Sequence, residues 1–146
     1  RVGDGVKDRI HDVLDIALWA PMSIARDGAL ARDHVRGRVA SALRHPLPVP
    51  FPDVDRPLVE RLRREYDAFQ HATAAAPHRE LVPDRLVSLM ALAGTPEEVR
   101  AQVARVMTVP EIRRLILLPQ VPDAGFVARE HIFTLFAEEV MGRALC

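Results

Sequence analysis

Cysteine is almost absent from this chain. Cys146 is the only one among 146 residues and stands at the end, which excludes an internal disulfide and a cysteine-based zinc site. That pattern suits a reducing, cytoplasmic setting. Lysine is nearly missing too: Lys7 stands alone and every other cation is an arginine. Net charge is also lacking, since 20 basic residues balance 20 acidic ones. Nothing therefore draws the protein as a whole towards nucleic acid or an anionic membrane. No apolar run approaches the ~20 residues needed to cross a bilayer. The opening RVGDGVKDRIHD lacks the apolar core of a signal peptide, and it starts on Arg1 rather than Met. It reads as the interior of something longer.

What is present is a globular balance of 49% hydrophobic and 27% charged residues. The length suits one domain with a proper core, here read as a single partial domain over residues 1–146. LDIALWAP, Leu14 to Pro21, is a short apolar run stopped by proline, as in a strand buried on both faces. Asp27 offers a cap for a helix with Leu30, Val35, Val39 and Leu43 on one stripe, reaching about His45. In HPLPVPFP every second residue is proline, which requires an extended loop.

Pro57 starts a helix with Leu58, Leu62, Tyr66 and Phe69 on one face. A loop through Pro77 leads to Pro83 and to LVSLMALAGTPEEVRAQVARVM, Leu86 to Met107. That stretch reads as one helix stopped by Gly94 and a second started at once. Thr95 can cap, Pro96 fits a first turn, and Glu98 can close a capping box. Val99, Val103 and Val106 share a stripe, and the chain turns near Pro110. RLILLP, centred on Leu115 to Leu118, is the second buried-type strand. After DAGF, the residues Ile132, Phe133, Phe136 and Val140 mark a closing amphipathic helix. Continuous apolar strands separated by helices indicate a parallel α/β protein, with Leu14–Ala20 beside Leu115–Leu118. Two such strands alone leave a sheet incomplete.

LVSLMALAGTPEEVRAQVARVM followed by IRRLILLPQVPDAGFVAREHIFTLFAEEVM resembles the C-terminal part of luciferase-like, flavin- or deazaflavin-dependent oxidoreductases. The group includes bacterial luciferase, alkane sulfonate monooxygenases and methylene-tetrahydromethanopterin reductases. DIALWAPMSIARDGALAR resembles the preceding strand and its capped turn. The resemblance implies an α/β fold, the C-terminal segment of a TIM-type β/α barrel. This chain would hold the last two strand–helix units and a helical insertion, helix-rich when isolated. It implies FMN or a deazaflavin coenzyme, a small organic substrate, and hydride transfer or oxygen activation in the complete enzyme. The chain alone would be inactive, because the first six units are absent.

Barrel ligands sit at the C-terminal ends of strands. That points to Trp19, Pro21 and Met22 after the first strand, and to Pro119 and Gln120 after the second. Trp19, Met22 and Gln120 are the cofactor-binding candidates: Trp19 by stacking on a ring, Gln120 by hydrogen bonding. Trp19 as core and Gln120 as a solvated loop residue are the competing assignments. No catalytic residue is identifiable. His11, His34, His45, His71, His78 and His131 show no metal-ligand spacing, so no metal is expected. Arg113 and Arg114 precede the last strand and read as structural. Gly3 to Gly5 is too short for a phosphate loop. No Ser-His-Asp set stands out.

Two other classes stay open. Leu86 to Met107 could be a DNA-reading helix-turn-helix, although Arg100 and Arg105 face Glu97 and Glu98 with no basic stripe. The chain could instead be a helical α/β interaction module without catalysis. Neither nucleic acid nor membrane is an expected partner; self-association stays open.

Overall fold

A computed structural model describes residues 16–47, 51–70 and 73–142. Strand β1 is Ile16–Ile24 and helix α1 is Gly28–Leu43. Helix α2 is Arg56–Glu65, followed by a 3-10 turn at Pro77–Leu81 and helix α3 at Asp84–Met90. Strand β2 is Leu92–Gly94, helix α4 Pro96–Val106 and strand β3 Ile112–Pro119. Helix α5, Phe126–Leu135, continues as a π-helical stretch over Phe136–Met141.

The three strands form one parallel sheet in the order β2-β1-β3. β1 pairs with β3 along most of its length, from Ile16 opposite Ile112 to Met22 opposite Pro119. This is the expected parallel neighbour pair, and α1 through α4 form its crossover. Leu14 lies outside the described residues. The strand does not end at Ala20, however, but runs on to Ile24 through Pro21. The ladder explains why proline is tolerated. Gln120 N–H donates to the Met22 carbonyl at 2.8 Å, and Ala25 N–H donates to the Gly94 carbonyl at 3.2 Å. Backbone groups alternate sides along a strand, so Met22 faces β3 and odd-numbered residues face β2. β2 begins opposite Met22, so the donor that Pro21 lacks would point to an unpaired edge.

Residues 86–107 require a second correction. The predicted first helix ends at Met90, and Leu92–Gly94 is a strand rather than the helix end. Gly94 has φ +151, in a region that side chains disfavour, and a Cβ there would sit 2.3 Å from Glu98 Oε2. Its role is to let β2 pass close under the cap of α4. That cap is a full capping box: Thr95 Oγ1 accepts from Glu98 N–H at 3.3 Å, and Glu98 Oε2 accepts from Thr95 N–H at 2.7 Å. Three residues are too few to show strand periodicity, which is why β2 was hidden. A strand between the two helices also removes the helix-turn-helix reading.

Two apolar clusters lie on the two sides of the sheet. Val35, Val39 and Leu43 of α1 meet Val59 and Leu62 of α2, Leu86 and Val87 of α3, and Ala93. Ala20, Met22 and Ile24 of β1 meet Val99 of α4 and Ile132, Phe136 and Val140 of the closing helix. Leu30, placed on the α1 stripe by spacing, is instead exposed, as is Phe133. Phe69 is 100% exposed, because α2 stops at Glu65 and Tyr66 is already extended. Among the described residues, no helix is long and apolar enough to cross a membrane.

Gly94→Ala should destabilise the chain by about 1–3 kcal/mol. Glu98→Ala in the same background should restore only part of that, since the clash goes but the backbone strain stays. Denaturant midpoints of the two variants check this.

Candidate functional site

β1 has one protected edge and one open one. Among the described residues no strand follows β2 beside Leu18, Trp19 and Ala20, and a groove of about 600 Å3 runs there. Its walls are mostly apolar, from Leu47 and Phe51 on one side to Met90, Leu92 and Val106 on the other. Gln102 closes the outer edge of β2: its Oε1 accepts from Ala93 N–H at 3.0 Å and its Nε2 donates to the Ala93 carbonyl at 3.1 Å. One amide side chain thus replaces a strand partner at that residue. Farther along, the edge of β1 has no such substitute among the described residues.

The side chains of Trp19 and Pro21 project on the face opposite Ala20 and Met22. They stand opposite Ile116 and Leu118 of β3, which join neither apolar cluster. Trp19 is 64% exposed. Its neighbours on that face, Pro21, Ile116 and Leu118, are half-buried.

The three residues expected to hold a cofactor are not brought together. Trp19 and Met22 lie inside β1 rather than after it, because the strand continues to Ile24. Met22 is fully buried in the core, where it can touch only protein. Gln120 lies just past β3, with its Nε2 donating to the Leu118 carbonyl at 3.2 Å. It borders a separate small cleft with His34, Arg38 and Arg129. Pro119 closes β3 as expected, whereas Pro21 lies mid-strand. His131 is exposed.

At the C-terminal ends of the strands the chemistry is basic. Arg79, only 4% exposed, donates to Asp33 Oδ2 at 2.6 Å and to the Asp33 and Thr73 carbonyls at 2.8 and 3.2 Å. Ser23 Oγ lies 2.9 Å from His34 Nδ1. Burial pushes the His34 imidazole below the usual histidine range; Asp33 opposes that shift and Arg79 adds to it. Arg32 and Arg36, one helical turn apart on α1, both grip Asp84 at the start of α3, at 3.0 and 2.6 Å. Arg32 also reaches Glu98. None of these contacts was readable from spacing, because the partners are distant in sequence. Among the described residues, no cluster of three or more His, Cys, Asp or Glu forms a metal site.

No family model and no curated protein matches the chain. Among solved structures, a coenzyme F420-dependent tetrahydromethanopterin reductase from Methanopyrus kandleri matches with a TM-score of 0.66 and 19% identity. The likeness is one of fold. It covers 96% of this chain and 39% of that one, so the chain spans well under half the length of its structural neighbour. The fold is helix-rich α/β with a small parallel sheet, matching part of a TIM-barrel-type structure.

The lowered His34 pKa has a consequence for stability. Between the folded value and the ordinary histidine value of 6.5, the unfolded chain binds the proton that the folded chain refuses. Stability should therefore fall as pH drops through 6.5. His34→Gln should flatten that part of the profile. Thermal melts between pH 7.5 and 5.5 check it, and an unchanged slope in the variant would assign the dependence elsewhere.

Proposed function

We propose that this chain forms one sector of a luciferase-like oxidoreductase that works with a reduced deazaflavin coenzyme. The support is the edge of β1 left open among the described residues beside the exposed Trp19, in a fold shared with a coenzyme F420-dependent reductase. In a closed barrel further strands would continue the sheet past that edge. The groove beside Leu18 to Ala20 is on this reading the seat of a neighbouring strand. F420 is favoured over FMN because the neighbour's own name carries that coenzyme.

The residues present fit only part of such a cofactor. Trp19, Ile116 and Leu118 offer an apolar wall for one side of a flat ring, with Trp19 able to stack. Met22 does not take part, since it is buried. Gln120 points to a different and smaller space. No polar set lines up along a ring edge, so a shallow partial pocket would not offset the ordering and desolvation costs of binding. A deazaflavin bound in the complete protein would carry the redox chemistry itself, with the protein orienting it against an organic substrate. Self-association of the isolated chain through its open edge follows from the same geometry.

Fluorescence titration of FMN and of coenzyme F420 tests the reading. The 146-residue chain should bind neither, while a longer protein containing it in frame should bind F420. In that longer protein, Trp19→Ala should weaken F420 binding about tenfold if the ring stacks there. Tight stoichiometric binding by the 146 residues alone would overturn this account of where the site lies. FMN binding in place of F420 would overturn the choice of coenzyme.

A further inference from the structure

A cleft of about 60 Å3 lies between α1, the turn after β3 and the first part of α5. It is several times the ~10–15 Å3 that one water requires, and far too small for a ring system. His34 and Arg38 line it from α1, Arg79 from the 3-10 turn, Gln120 from the end of β3 and Arg129 from α5. No carboxylate is among the lining residues.

What sets the cleft apart is three arginines lining it with no carboxylate, for Arg105 and Arg113 elsewhere also have no side-chain partner among the described residues. Arg26, Arg32, Arg36, Arg56, Arg61 and Arg85 each pair with a carboxylate. Arg79 is paired with Asp33. Arg38 and Arg129 make no hydrogen bond or ion pair with any described residue. Two exposed arginines with no ion-pair partner among the described residues thus line one small cavity beside Arg79, whose charge is met by Asp33. Like charges gathered in this way repel, and an anion between them removes the repulsion. Forked guanidinium donors match the oxygens of a tetrahedral oxyanion. The cleft also lies just past the C-terminal end of β3, where parallel α/β sheets hold ligands. Gln120, held by the Leu118 carbonyl, still has its amide oxygen and a second N–H, which can meet a protonated phosphate oxygen or an anionic one.

We propose that this cleft is a phosphate site, with Arg38 and Arg129 as its two principal donors and Gln120 at its rim. It takes one phosphate group, either as the free anion or as the terminal group of a larger ligand. The site stands on the charges and cavity of this chain and does not depend on the coenzyme assignment.

Calorimetric titration of the 146-residue chain with inorganic phosphate in chloride buffer tests it. One phosphate per chain is expected, weakened at least tenfold by Arg38→Met or by Arg129→Met. Arg61→Met, which removes an arginine paired with Glu65 on the exposed side of α2, should change nothing. Competition by glycerol phosphate would assign the site to a phosphomonoester; binding of inorganic phosphate alone would assign it to the free ion. If a methionine variant fails to fold, Arg38→Lys and Arg129→Lys replace it, and loss of the forked donor should still weaken phosphate severalfold. Absence of saturable binding, equal binding of acetate, or affinity unaffected by either pair of variants would overturn the proposal.

Discussion

The parallel pairing of β1 with β3 is the constraint on which the remainder depends. Parallel neighbours cannot be joined by a tight turn, so the chain must travel back across the sheet before β3 can begin. Everything from Gly28 to Val106 is that return journey. α1, α2 and α3 form an apolar layer on one side of the sheet, and α4 with the closing helix covers the other. The return also deposits β2 on the far side of β1, where it reaches only Met22, Ser23 and Ile24. The open stretch of edge beside Trp19 is therefore a direct result of how short β2 is.

The helix starts were legible in the sequence because their chemistry is local. Asp27 caps α1 as its position suggests, accepting from Ala29 and Leu30 amides at 2.9 and 3.3 Å. Thr95 and Glu98 form the expected box, and Pro57 stands in the first turn of α2. The apolar runs also disclosed β1 and β3 and their parallel relation. What escaped was long-range. Pro21 reads as a terminator until one knows that its missing donor faces no strand. Gly94 reads as a helix stop until β2 is seen beside β1. Gln102 reads as a surface residue on an amphipathic helix, yet its amide finishes the edge of β2 at Ala93.

The candidate site was legible in part, for the same reason. Trp19 could be picked out as the lone tryptophan of the first apolar run, and it is exposed on β1 rather than core. Met22 could not be told from its neighbours by type, and only the alternation of β1 sends it into the core. Arg38 and Arg129 carry no motif. They line one cleft because α1 and α5 both pass the C-terminal end of β3, a fact that belongs to topology rather than to spacing.

Amide hydrogen exchange along β1, followed residue by residue by NMR, tests the central claim most directly. Leu18, Ala20 and Met22 direct their N–H groups to β3 and should exchange slowly, whereas Ala17 and Trp19 face the open edge and should exchange fast. That two-residue alternation is the result expected of a β1 held by β3 on one side only. Equal and strong protection of Ala17 and Trp19 would show that edge to be occupied, and uniform fast exchange would show that the β1–β3 pair does not form.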